Sequence, residues 1–487
     1  MLRRLNKKLG LGTDISLTVV LQGLGALLAF AVQPILARVL GESGWDTYTL
    51  CMQTYVMIGA AVVDFGIVAV ALPRIAVAGG FSSPAFQSSF YLRSITFVIG
   101  LSVAIILAVV FGDSDLLVPV LIGMGVVIVS GRFTSFRQIP EMIWRVKGRA
   151  WVVGAVATLD TMLMVSAVLL LRNIVDFTAT SVITLLLLVN IPGFILIAFP
   201  VVRAFKRSST SSKRYHSRYV KGMAYSAMPI AIMAIASQLF GRIEPLVINA
   251  VYGKDLVGDY IAAISPLMGT IFIAVSISVG LQPLLSQVHK RARSDVKGEW
   301  VMSVGVNVLG GIAISISAIS LLFAEEIIGL FGKVYTENAW MLRIYSITNI
   351  LEFLVILYDQ SLIGIDKRRE VMTGTLLSLG LALAFQVVGI IYWGIAGILV
   401  AKTFSVAGKI VYQMVVIGKS YRVGAINGMI RLTAVAILFA AGYYFTTDIT
   451  ESIFRAVLLL PLLVIILFAS RTINFSDLRK LRRLQLT

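Results

Sequence analysis

Between Asp14 and Arg38 the chain carries no charged residue, and apolar runs of this kind recur almost to its end. A bilayer core offers no water to backbone N–H and C=O groups, so a chain that crosses it must be helical or a closed barrel. Continuous stretches of about 20 residues are the length a helix needs. Only 14% of the residues are charged and 58% are hydrophobic, against about 25% charged in a soluble domain. A water-soluble fold is excluded on those grounds. Met1 to Asp14 is basic, but Ile15 to Ala37 contains no small-residue cleavage site, so the first span reads as its own insertion signal.

Apolar stretches bounded by charge or turn signals predict fourteen spans: 15–39, 48–73, 88–111, 116–138, 150–171, 180–202, 222–251, 257–287, 300–323, 339–364, 370–392, 395–418, 424–445 and 452–470. Only Tyr392, Trp393 and Gly394 separate the eleventh from the twelfth. Alternate connections then divide by charge. One set is basic, with Arg145, Lys147 and Arg149, Lys206 to Lys221, Lys290 to Lys297, Lys367 to Arg369 and both termini; the other is acidic, with Glu42, Asp46, Asp113, Asp255, Asp259 and Glu325. The positive-inside rule places the basic set and both termini in the cytoplasm, with the spans in the cytoplasmic (inner) membrane. The net charge of +18 is accounted for by anionic lipid headgroups rather than nucleic acid. One cysteine and two histidines leave no disulfide framework, no metal cluster and no expected cofactor.

An internal repeat organises the chain. Residues 33–48, QPILARVLGESGWDTY, match 244–260, EPLVINAVYGKDLVGDY; Pro34 faces Pro245, and after one inserted residue Gly41 faces Gly253 and Tyr48 faces Tyr260. A weaker echo pairs 142–149 with 361–368. The expected organisation is an N-terminal six-helix lobe over 1–207, a basic cytoplasmic linker over 208–221, a second six-helix lobe over 222–419, and two extra helices with a basic tail over 420–487. Halves of six spans enter the membrane from the same side, so the repeat is parallel, and transporters built this way hold substrate between the halves. Prolines at matched positions mark either a bend beside a cavity or simple packing kinks.

The stretches ILARVLGESGWDTYTL at 35–50, VVDFGIVAVALPRIA at 62–76 and the second copy at 244–260 resemble the polysaccharide transporter branch of the multidrug, oligosaccharidyl-lipid and polysaccharide exporter superfamily. The resemblance implies an all-α membrane protein of two pseudo-symmetric lobes in a V around a central cavity. It also implies alternating access acting on undecaprenyl-diphosphate-linked sugars, with polysaccharide polymerase and glycosyltransferases as partners. Fourteen spans also resemble the lipid II flippase arrangement, in which the last two helices form a groove for the lipid tail.

A diphosphate crossing the low-dielectric core needs cations, and guanidinium groups suit it because they bind phosphate oxygens bidentately and stay charged. Spans expected to line a cavity supply Arg38, Arg74 and Arg242, with Arg93 and Arg132 on the third and fourth. Arg242 is deep in span seven; a buried ion pair is its alternative role. Arg74 lies where a headgroup would enter, and there a positive-inside anchor explains it equally well; Arg38 and Arg93 read as headgroup-level anchors. For coupling or gating the candidates are Asp64, Glu244, Pro34 and Pro245. Asp160 and Glu352 read as ion-pair partners, and Lys402 and Lys409, seven apart on one face, as mates for Glu352 or Asp359. Embedded Gln33, Gln53, Gln238, Asn249, Gln282 and Gln287 suit sugar hydroxyls or interhelical hydrogen bonds.

Two other functions compete. A multidrug and toxic compound extruder shares the layout but, handling organic cations, favours acids over the arginines found here. A membrane enzyme needs an extramembrane domain or an acidic metal motif, and the sequence has neither, nor a phosphate-cradling loop. That absence also excludes an ATP-driven pump, leaving an H+ or Na+ gradient, the membrane potential or substrate flux as the energy source.

Overall fold

The computed structural model describes residues 11–77, 84–111, 114–131, 133, 135–208, 217–290, 295–417, 419–446, 452–470 and 472, and among them there is no strand. The helices are α1 (Leu11–Tyr48), a π-helical stretch (Thr49–Tyr55), α2 (Val56–Asp64), α3 (Ile67–Val77), α4 (Pro84–Val110), α5 (Leu117–Val129), α6 (Gln138–Val146), α7 (Ala150–Leu171), α8 (Ala179–Ser208) and α9 (Ser217–Tyr252). They continue with α10 (Asp255–Met268), α11 (Ile271–Lys290), α12 (Asp295–Leu322), α13 (Ala324–Gly329), α14 (Ala339–Gly364), α15 (Arg368–Val416), α16 (Lys419–Phe445) and α17 (Ser452–Ala469).

Among the described residues, 11 segments are long and apolar enough to cross a membrane. Two exceed one crossing. The run from Gly23 to Val77 covers the first two expected spans, and α15, with 49 residues, covers the eleventh and twelfth. Backbone breaks divide them where the side chain must be absent. Gly41 sits at φ 66° in the first run and Gly394 at φ 59° in α15, a region that costs residues with a Cβ but not glycine. Gly253, the repeat partner of Gly41, has φ 84°. The matched feature that bends the backbone is therefore the glycine, while Pro34 and Pro245 both lie inside helices.

Three expected spans are interrupted, the eighth of them briefly, at Gly269 and Thr270 between α10 and α11. The second breaks between α2 and α3, where Phe65 (φ 46°) and Gly66 (φ 63°) are left-handed in succession. The last carbonyls of a helix lack intrahelical donors, and here the Val63 carbonyl accepts Arg93 NH1 at 2.8 Å and Thr96 Oγ1 at 3.0 Å. The fourth, expected over 116–138, stops as α5 at Val129; Ser130 is extended (φ −77°, ψ 137°), and the chain resumes as α6. Irregular backbone at membrane depth is tolerated where protein groups satisfy it.

Packing forms two compact units, Met1–Ile261 and Ala262–Thr487. In the first, α9 packs on α2, α3 and α4, so the seventh span joins the N-terminal spans rather than the linker-bounded second half expected from the repeat. Lipid tails give apolar helices no reason to prefer one another, so close approach depends on small residues. A Cβ on Gly59 of α2 would stand 2.8 Å from the Gly100 carbonyl of α4. In the second unit α12 is central, packing against α14, α16 and α17, and α14 packs on α11 and α15.

Candidate functional site

The polar side chains of the first unit's inner spans form pairs. Gln53 Nε2 donates to Gln33 Oε1 at 3.0 Å, and Asn249 Nδ2 donates to the Tyr55 hydroxyl at 3.1 Å. Gln53 and Tyr55 both lie in the π-helical stretch, whose extra residue per turn re-aims side chains and recurs at functional positions. Glu244 and Asn249 are buried on α9, and Arg242 is half-buried beside them. The Asn249–Tyr55 bond thus makes a polar seam between the second copy of the repeat and the stretch that follows the first.

At one end of this seam the two copies also clasp. Trp45 Nε1 donates to the Gly258 carbonyl at 3.2 Å, and both Trp45 and Asp46 are buried. A side chain on Gly258 would collide with the Asp46 carboxylate and with Trp45. By repeat register Asp46 and Gly258 are matched positions, one copy supplying the acid and the other the vacancy that receives it.

Arg74, half-buried at the opposite end of the second span, donates to Ser226 Oγ at 3.1 Å and lies 5.9 Å from the centre of the Tyr219 ring. Both partners are on α9. Arg38 is exposed on α1, three residues before the break at Gly41. Arg132 lies outside the described residues, as do the basic N-terminal segment, most of the linker and most of the C-terminal tail.

Arg93 lies inside the first unit. It is fully buried, bonded to the Val63 carbonyl, to Gln138 Oε1 at 3.3 Å and, as an ion pair, to Asp64 at 3.7 Å. The interrupted second span created an acceptor that only a buried donor can satisfy, which draws Arg93 inward. The same pair engages Asp64, the candidate for coupling.

A second network was not foreseen in full. Asp160 pairs with Arg137 at 2.5 Å, and Arg137 also meets Glu141 at 3.2 Å, while Arg145 reaches Glu141 at 3.4 Å. Burial pushes the Glu141 carboxyl above its ordinary range, against the pull of Arg137 and Arg145. Arg137 and Glu141 stand four apart, a spacing visible in the sequence, but the apolar count runs the fourth span across Arg137. In the second unit Lys409 meets Asp359 at 2.9 Å and Thr375 at 3.1 Å, and Gln413 donates to Asp359 at 2.6 Å. Glu352 accepts from the Tyr345 hydroxyl at 3.0 Å, and Lys402 is buried. Among the described residues, no group of three His, Cys, Asp or Glu is placed to hold a metal ion.

Residues 11–289 match the family described as "Polysaccharide biosynthesis protein". No curated protein matches by sequence. Among solved structures, the chain is similar to "Lipid II flippase MurJ, inward closed conformation", with a TM-score of 0.66, 11% identity, and 96% of this chain and 99% of that one covered. It is also similar to a multidrug resistance MATE family transporter of the MOP superfamily in its inward-facing conformation, with a TM-score of 0.62, 15% identity and coverage of 84% and 95%. A MOP superfamily transporter from Pyrococcus furiosus, titled for the reverse polarity of its binding pocket, gives 0.52 at 15% identity, with 87% and 96% covered. This is a multi-pass membrane protein that shares its fold with these solved structures, and the chain belongs to the polysaccharide biosynthesis protein family.

Proposed function

We propose that the protein is a flippase that moves a polyprenyl-diphosphate-linked oligosaccharide, such as an O-antigen, capsule or exopolysaccharide repeat unit, from the cytoplasmic to the outer leaflet by alternating access. It does no chemistry on its cargo. The observation that carries this reading is the family match over 11–289 on a transporter fold. The charge pattern agrees with it: Arg74 and Arg242 are half-buried cations on spans two and seven, where a diphosphate needs compensation. Both termini are cytoplasmic in this reading, and the energy comes from an H+ or Na+ gradient or the membrane potential.

Arg93 is assigned a structural role, because removing it from Asp64 and the Val63 carbonyl would leave buried groups unpaired. The test is reconstitution in proteoliposomes with a fluorescent polyprenyl-diphosphate oligosaccharide, read by loss of accessibility on the starting side. Export of an organic cation with no movement of the lipid-linked sugar would instead make the protein a drug extruder. Preference for a lipid-linked muropeptide would make it a lipid II-type flippase.

A further inference from the structure

The interruption of the fourth span leaves space that a helix was expected to fill. With 13 residues, α5 runs about 20 Å, short of a hydrocarbon core of about 30 Å. Beside its last turn, at Ile128, a cavity of about 560 Å³ opens between α4, α8 and the start of α6. Its walls carry Phe86, Phe90, Tyr91, Phe136, Phe194 and Phe205.

The floor is rigid. Phe86 is buried and meets Phe90 edge-on at 5.5 Å and Phe205 at 5.6 Å, and it belongs to the core that holds α3, α6 and α9 together. The mouth faces outward, since Tyr91 is 51% exposed and Val202 is 44% exposed. Gln87 and Tyr91 are the polar side chains of an otherwise apolar lining, so in a wall that meets liquid hydrocarbon the recess is filled better by an apolar chain than by water.

The rim supplies charge. On α8 the lining residues Ala198 and Val202 stand four apart, and the next step along that row is the exposed Lys206, with Arg203 nearby. Trp144 Nε1 donates to the Ile197 carbonyl at 3.1 Å, fixing the C-terminal turn of α6, with Arg145 and Lys147 following, against α8. The recess therefore opens at the basic ends of the spans, an apolar slot below a cationic edge.

We propose that this recess is a binding site for one acyl chain of an anionic phospholipid, whose phosphate rests at Lys206 and Arg203. The site stands apart from the translocation reading and survives its failure. Replacing Ala198 by Trp fills the recess, while the double change Arg203→Glu and Lys206→Glu alters only exposed side chains and reverses the rim.

Purified full-length protein is exchanged from nanodiscs holding equal phosphatidylglycerol and phosphatidylcholine, and retained lipids are counted by native mass spectrometry. The unaltered protein should retain one phosphatidylglycerol in preference to phosphatidylcholine by about tenfold or more, each basic residue near an anionic headgroup contributing about fivefold. A198W should lose the retained lipid, and the rim reversal should keep a lipid but remove the preference. Equal retention of both lipids by the unaltered protein, full retention by A198W, or an unchanged preference after rim reversal would each overturn the proposal. So would stoichiometric displacement of phosphatidylglycerol by undecaprenyl phosphate at equal concentration, which would make the occupant a polyprenyl chain.

Discussion

The carboxylate of Asp160 occupies the place that a side chain on Gly193 would take, so that α7 and α8 meet around a buried ion pair. Asp160 is held there by Arg137 at 2.5 Å, and both are buried. Gly193 is thus part of the charge network without carrying any charge. Gly193→Ala should lower stability by about 1–3 kcal/mol through overpacking, visible as a lower midpoint in a detergent-solubilised thermal melt. An unchanged midpoint would mean that the carboxylate has another place to go.

Within the same network, the partners differ in what they leave behind. Removing Arg137 takes the ion-pair partner from buried Asp160 and leaves Glu141 with Arg145, a loss of about 3–5 kcal/mol for breaking a buried pair. Arg137 keeps Asp160 when Glu141 loses its charge, and the amide oxygen can still accept from Arg137, so Glu141→Gln should cost less than the loss of Arg137. Comparing thermal midpoints of R137Q and E141Q checks the order; the reverse order would reassign the anchor of α6.

The Lys409–Asp359 pair permits a cycle. Lys409→Met alone leaves Asp359 with only Gln413 and should destabilise by about 3–5 kcal/mol, whereas K409M with Asp359→Asn should recover most of that loss. Strict additivity of the two changes would show that the two side chains act independently.

The clasp of Trp45 and Asp46 on Gly258 should respond to Gly258→Ala, which pushes the two repeat copies apart. If alternating access opens this end, G258A should change the accessibility of a cysteine placed at Lys254 to an impermeant maleimide by severalfold while total expression stays level. Identical labelling in both proteins would remove the clasp from the transport cycle.

Transport itself should separate the arginines. Arg74→Ala and Arg242→Ala are expected to slow translocation at least tenfold, the scale of one lost charge-assisted phosphate contact of about 1.5–3 kcal/mol, with little change in thermal midpoint. Arg93→Ala should instead lower the midpoint, because it abandons the Val63 carbonyl and Asp64. A translocation defect in R93A with full stability would reverse that assignment.

Much of this architecture was legible along the chain because its causes are local. Uncharged runs of about 20 residues specify spanning helices, and the alignment of Gly41 with Gly253 paired two positions whose left-handed backbone the structure displays, although the bends were expected at Pro34 and Pro245. The break between the eleventh and twelfth spans falls at Gly394, where Tyr392 to Gly394 were the only separators. The seven-residue spacing of Lys402 and Lys409 anticipated the bond from Lys409 to Asp359.

Hydrophobicity by itself determined that the chain crosses a membrane many times, since backbone groups in lipid must be satisfied within the helix and the residues that meet this condition are visible one by one. Tertiary structure alone decided where helices stop inside the bilayer and which arginines are spent on protein. A left-handed Phe65 is tolerated because Arg93, 30 positions away from Val63, satisfies the carbonyl freed there. Partners that far apart in sequence meet only when the chain is packed.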